Sequence, residues 1–381
     1  MVVSGVGTSG FGRFPQREAT ELAVEAIVEA LDDARVTPGD IDAVYLGSVF
    51  GPPGIANRVV AAAGLAGIPT LRLEAACASG TVAFHEAREA VRLGRHERVL
   101  AVGVEQLSTV FNGPIIPEAT DAEGRAGLAM PALYALQADR YLHQWGHDAA
   151  DLAHVAVKNK AHGALNPRAH LNDTVPTLVQ VLDSRPIAGD LTLLQCCPMS
   201  DGAGAAVIAT PTTADREVPV RSSVLRSGAL WDQASESPWG FGCVASAAEA
   251  AFAEADLTPL DVDVAEVHDA FTIGEILTLE AVGICAPGDG LVDAASGRTR
   301  LGGPIPVNPS GGLLSRGHPL GATGLAQLAE LVWQLRGEAG ERQVRDAGVA
   351  LLETMGGGAA GVDGNACVVA LLGDSPGGFR A

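Results

Sequence analysis

Apolar residues Leu22, Ala23, Ala26, Ile27, Ala30 and Leu31 recur at the spacing of one helix face, so a helix is predicted there. A Thr-Pro turn follows at 37–38, then Asp-x-Asp at 40–42 leading into a short strand. The same order returns later: residues 30–46, ALDDARVTPGDIDAVYL, match residues 251–267, AFAEADLTPLDVDVAEV, at a constant offset of 221. Ala34 meets Ala255, Thr37 meets Thr258, Pro38 meets Pro259, Asp40 meets Asp261 and Asp42 meets Asp263. A second echo follows each copy. Ala-Ser-Gly at 78–80 opens a helix pattern (Val82, Ala83, Ala87, Val91) before the strand pattern 98–105. Ala-Thr-Gly at 322–324 opens another (Leu325, Leu328, Leu331, Val332) before the strand pattern 349–353. Alternating strands and helices give parallel βαβ units buried on both faces. Two copies in one chain imply an α/β fold with a duplicated five-layer core and pseudo-twofold symmetry.

The alternation breaks between Asn112 and Asp183, where helical patterns at 130–145 and 151–164 dominate. That stretch reads as an insertion over the mouth of an active site. The halves are expected at 1–215, with the insertion at about 112–183, and at 216–381; Gly373–Ala381 reads as a tail.

Composition narrows the function. Charged residues are only 18%, the net charge is −20, and Lys158 and Lys160 are the only lysines. An acidic surface disfavours nucleic acid. No apolar run nears the roughly 18 residues of a membrane span, and no secretory signal opens the chain. A cytoplasmic protein is expected. The six cysteines show no ligand-type spacing, so free thiols and no metal site are expected. His143 and His147 read as a pair on one helix surface, and Cys196 and Cys197 as packing residues.

Four segments carry candidate chemistry. Cys77, in EAACASG, stands where a strand gives way to a helix, and a helix N-terminus favours a thiolate. The motif alone fits a reactive thiol and a buried packing cysteine equally. His318, in GGLLSRGHPLGATG, is presented by glycine-rich backbone. By the repeat Gly321 is the counterpart of Cys77, so the two loops should face each other and His318 could take the thiol proton. His268, in EVHDAF, ends a strand, where open α/β sheets place ligands, and could donate a hydrogen bond to a thioester carbonyl. Gly356, Gly357 and Gly358 could bring a backbone N–H to the same acyl group.

Together, ACASG around Cys77, VHDAF around His268, NPSGG at 308–312, GHPLGATG at 317–324 and the late GGG resemble the thiolase superfamily, specifically the sterol-carrier-protein-type thiolases of bacteria and archaea. The resemblance runs from about residue 3 to about residue 373. It implies an acyl-CoA C-acyltransferase with no tightly bound cofactor and a coenzyme A thioester as substrate. It implies Cys77 as acyl-accepting nucleophile, His318 as its base, the N–H groups of Cys77 and Gly358 as one oxyanion hole, and His268 in the other. Asn308, Ser310 and Gly311 become a substrate-binding loop. A homodimer or tetramer is implied, with a small OB-fold, zinc-ribbon acyl-CoA-binding protein as a further partner.

One departure matters. The family's second, acid/base cysteine precedes the late GGG, where this chain has Thr354-Met355, or sits in an HDCF motif, where it has Ala270. Neither can carry a proton. Three readings follow: a thiolase in which another group covers for that cysteine, a decarboxylating or otherwise specialised acyltransferase, and a partner-dependent subunit or non-catalytic acyl-CoA binder.

Overall fold

The structure is a computed structural model and describes residues 1–212, 214–232, 235, 240–357 and 361–374. The first half runs β1 (Val2–Thr8), α1 (Ala19–Ala34), β2 (Ala43–Gly47), α2 (Ile55–Ala62), β3 (Thr70–Leu73), α3 (Ser79–Arg92) and β4 (Arg98–Gln106). Between 112 and 183 lie α4 (Ala122–Arg125), α5 (Met130–Trp145), α6 (Ala153–Gly163) and α7 (Leu178–Leu182), and a small hairpin, β5 (Pro186–Ala188) with β6 (Leu191–Thr192), follows. Strand β7 (Asp201–Ala209) closes that half. The second half repeats the plan with β8 (Val218–Arg226), α8 (Phe241–Ala255), β9 (Val264–Glu266), α9 (Thr272–Ala281), α10 (Gly290–Ser296), α11 (Gly312–Arg316), α12 (Leu320–Arg336), β10 (Val349–Gly356) and β11 (Ala366–Gly373).

The repeated residues do the same work twice. Helix α1 buries the six apolar residues of the predicted face and ends on Arg35 in the left-handed conformation. Asp40 then accepts from Thr37 N–H at 2.8 Å, and Asp261 from Thr258 N–H at 2.8 Å. Asp42 accepts from the backbone of Glu97 and Arg98, and Asp263 from Gly348 and Val349, pinning each short strand to the one beside it.

Strand order is β3-β2-β4-β7-β1-β8-β11-β10-β9. Strands β2, β3 and β4 are parallel, as are β9 and β10, and the remaining pairs are antiparallel. The two half-sheets join through the β1–β8 pairs Val2–Pro219 and Val3–Val218. A single parallel bridge, Ala265 to Val307, stands where β3 stands in the first half. Inward residues of both half-sheets pack on α3 and α12; α1 and α2 cover one outer face, α8 and α9 the other. These are the five layers of the duplicated core.

The central helices meet at glycines because nothing larger fits. A Cβ on Gly80 would lie 2.4 Å from Gly321 O, and one on Gly324 would lie 2.2 Å from Thr81 Cγ2. This contact sets both helix N-termini side by side. Helix α5 stops at Gly146, which is left-handed, so His147 leaves the helix and bonds Gly288 O at 2.7 Å. It therefore forms no surface pair with His143.

Candidate active site

Cys77 lies two residues before α3, in a tight loop. Ala76 before it is left-handed (φ 48°), a conformation that costs free energy outside glycine. Ser79 Oγ holds the loop, accepting from Ala75 N–H at 2.9 Å and donating to Ala76 O at 2.6 Å. His318 Nε2 lies 3.3 Å from Cys77 Sγ. The hydrogen bonds also settle which nitrogen faces the thiol. Thr323 Oγ1 donates to Pro319 O, so it accepts from His318 Nδ1–H at 2.8 Å, and the Nε2 lone pair points at Cys77. His268 stands beside His318, with ring centroids 5.2 Å apart, and both its ring nitrogens are buried without a partner among the described residues.

Burial sets the protonation states. The Cys77 thiol is pushed up to about 12 by desolvation, against the pull of the N–H groups of Gly357 and of Cys77 itself. His268 is pushed down to about 4, and His318 is lowered by burial and by the neighbouring His268 and Arg316. The resting pair is thus a neutral thiol beside a neutral imidazole, and desolvation outweighs the helix-end stabilisation expected from the sequence. Such a pair ionises by moving one proton from sulfur to Nε2 as a reacting carbonyl arrives. The sulfur and ring nitrogens of Cys77, His268 and His318 lie within 4.8 Å of one another, a donor set that could also hold a soft cation.

The comparisons with known proteins identify the family. The description "Thiolase, N-terminal domain" matches residues 1–188, and "Thiolase C-terminal domain-like" matches residues 231–363. The chain belongs to the thiolase family. It is 42% identical to the acetyl-CoA acetyltransferase of Methanothermobacter thermautotrophicus, over 94% of this chain and 96% of that one. It is 36% identical to human sterol carrier protein 2, over 94% of this chain and 70% of that protein. The solved Ltp2-ChsH2(DUF35) aldolase superposes with a TM-score of 0.84 at 26% identity, covering 100% of this chain and 98% of that one. This thiolase is an acyltransferase acting on acyl-CoA.

Around the thiolase site the structure places residues the sequence left unassigned. Asp269 turns away from its neighbour His268 to accept from Leu313 N–H at 2.6 Å and Asn159 Nδ2 at 2.7 Å. Glu353, within β10, accepts from His268 N–H at 2.9 Å and is raised to about 7 by burial. Asn308 is left-handed (φ 55°); its Oδ1 accepts from Val267 N–H and its Nδ2 donates to Glu275. Ser310 bonds Glu266 through both N–H and Oγ, and a Cβ on Gly311 would lie 2.6 Å from Gly163 Cα. Asn308, Ser310 and Gly311 are all buried, and the Asn308 and Ser310 side chains bond to protein partners. Gly358, the other expected N–H donor, falls outside the described residues; Gly357 N–H is the one that faces the sulfur.

The insertion does more than cover. Helix α6 buries Lys158, Asn159, Lys160 and His162. Lys158 pairs with Glu275 at 2.5 Å and bonds Val307 O; Lys160 bonds Leu314 O at 2.8 Å; His162 bonds Asn308 O at 3.0 Å. Both lysines of the chain are thus buried and hold the second-half loop in place. A polar stretch with a solvated look is in fact a clamp, and the rarity of lysine was its one signal.

Proposed function

We propose that the chain makes or breaks a carbon–carbon bond next to a coenzyme A thioester by way of an acyl thioester on Cys77. The observation that carries this is the 3.3 Å contact between Cys77 Sγ and a His318 whose other nitrogen is tied to Thr323. His318 takes the thiol proton as sulfur attacks and returns it to the leaving coenzyme A. His268, neutral and without a protein partner among the described residues, donates a hydrogen bond to the thioester oxygen; Cys77 N–H and Gly357 N–H supply the second set of donors. Coenzyme A enters as substrate, and no resident cofactor or metal is required. The functional unit is a homodimer of chains divided at about residue 215.

A second reading is favoured by Ala270 together with the likeness to an aldolase. Carbon–carbon chemistry would then proceed without a second thiolase cysteine, as a specialised acyl-CoA reaction. The two-component name of that neighbour supports a version that works beside a small OB-fold, zinc-ribbon partner.

Exchange of labelled coenzyme A into acyl-CoA separates these readings, since a covalent acyl-enzyme exchanges its coenzyme A without a second substrate. The acyl-cysteine reading expects exchange by the wild type and none by Cys77→Ala. Carbon–carbon cleavage without exchange would favour the aldolase-like reading.

A further inference from the structure

The thiol that Ala270 lacks is present one strand away. Cys196 pairs antiparallel with Phe271, and Cys197 N–H donates to Ala270 O at 2.9 Å, so Cys197 stands opposite Ala270. Residues opposed across an antiparallel pair carry their Cβ atoms on the same face, about 4.5–5.5 Å apart. Two residues on, Met199 bridges His318. Segment 196–199 therefore runs from the His268 loop to the His318 loop. Successive side chains of such a segment point to opposite faces. Cys196 turns outward, its thiol donating to Thr192 O at 3.4 Å. Cys197 takes the other face; it keeps some exposure, and no side chain hydrogen-bonds its sulfur among the described residues. Tyr134 stacks on Phe271, with ring centroids 4.4 Å apart, and closes the same space.

We propose that Cys197 carries the proton for the carbon–carbon step, doing from the neighbouring strand what an HDCF cysteine does from position 270. This rests on the acyl-Cys77 reading above. In the cleavage direction His318 takes the Cys77 proton and the sulfur adds to the ketone carbon of a 3-oxoacyl-CoA. The bond to the adjacent carbon breaks, its electron pair stays on the departing acyl-CoA, and Cys197 S–H protonates that carbon. The Cys197 thiolate then recovers its proton from His318, which in turn takes the proton of an incoming coenzyme A thiol as that sulfur displaces the acyl group from Cys77. The Cys77 thiolate recovers its proton from His318, so atoms and charges balance. Condensation is the reverse. Burial holds the Cys197 thiol well above its ordinary value, which suits an acid that must keep its proton until a carbanion forms.

Two exchange assays on the same preparations test this. Deuterium entry at C2 of acetyl-CoA reads the carbon proton, and labelled coenzyme A exchange reads the acyl-Cys77 half-reaction, which runs on His318. Cys197→Ala should cut deuterium entry by about 10²–10⁴, the usual contribution of a positioned acid or base, while coenzyme A exchange stays within a few-fold. Cys196→Ala should change neither, and Ala270→Cys added to Cys197→Ala should restore deuterium entry. Should Cys197→Ala lose both signals through misfolding, the near-isosteric Cys197→Ser decides by the same ratio. Deuterium entry at the wild-type rate in either variant, or none in a wild type that exchanges coenzyme A, overturns the proposal. A wild type without coenzyme A exchange sinks the acyl-Cys77 reading first.

Discussion

The pseudo-twofold sets two sites side by side, and only one holds reactive groups. Cys77 before α3 and His268 after β9 have as counterparts Gly321 in the first turn of α12 and Gly47 at the end of β2. In the reactive pair, sulfur and imidazole stand within 4.8 Å, with both His268 nitrogens unpartnered. In its twin the backbones close on each other. A Cβ on Gly321 would lie 2.8 Å from Gly47 O, and one on Gly47 would lie 2.4 Å from the Ser79 carbonyl carbon. The carboxylates diverge as well. Glu105 accepts from Val49, Phe50 and Gly321 N–H groups and seals the twin, whereas Glu353 braces the His268 backbone and leaves its ring free. Duplication therefore supplied the frame twice, and side chains at two of four equivalent positions made one of the copies chemical.

The largest break in that asymmetry is removal of the nucleophile. Cys77→Ala should abolish acylation and lower turnover by at least about 10⁴, with the melting temperature kept, as read by steady-state kinetics beside calorimetry. His318→Ala should slow the appearance of acyl-enzyme by about 10²–10⁴ in quenched-flow measurements; an unchanged rate would remove His318 as the base.

Glu353 sharpens the comparison through pH. Its folded value of about 7 lies above the ordinary 4.5, so the folded chain holds a proton that the unfolded chain releases between those values. The stability this contributes is full below about pH 4.5 and is lost as pH rises through 7. Urea denaturation should show the wild type losing up to about 3 kcal/mol relative to Glu353→Gln across that window; parallel curves would contradict the assignment. The smallest effect is expected on the silent side. Gly47→Ala, forced against Ser79 backbone, should cost about 1–3 kcal/mol of stability. It would lower activity only so far as it displaces the start of α3.

The duplicated frame was legible because its punctuation recurs: Thr37 and Thr258, Asp42 and Asp263 cap and pin the same elements in both copies. Cys77 and His318 were legible because each sits in a glycine- or proline-marked turn, His268 because it ends the second-copy strand, and the structure brings all three together. Two things had no local signature. The pairing of Cys197 with Ala270 joins segments far apart in the chain, and a cysteine beside another cysteine reads as packing. The burial of Cys77 lacks a local signature for a related reason. A helix N-terminus is visible in sequence, but the enclosing protein that pushes the thiol to about 12 comes from the other half. The buried polar residues of α6 escaped notice because their partners, Glu275, Asn308 and Leu314, lie more than a hundred residues away.

The account stands or falls on where an acyl group settles. Acid-quenched protein, taken after brief exposure to acetyl-CoA and other acyl-CoAs, can be digested and mapped by mass spectrometry. The expected result is one acyl group per chain, on the peptide carrying Cys77, formed in the wild type, slowed in His318→Ala and absent in Cys77→Ala. An acyl group on another cysteine, or none on any cysteine while a carbon–carbon bond is still made or cut, would contradict it.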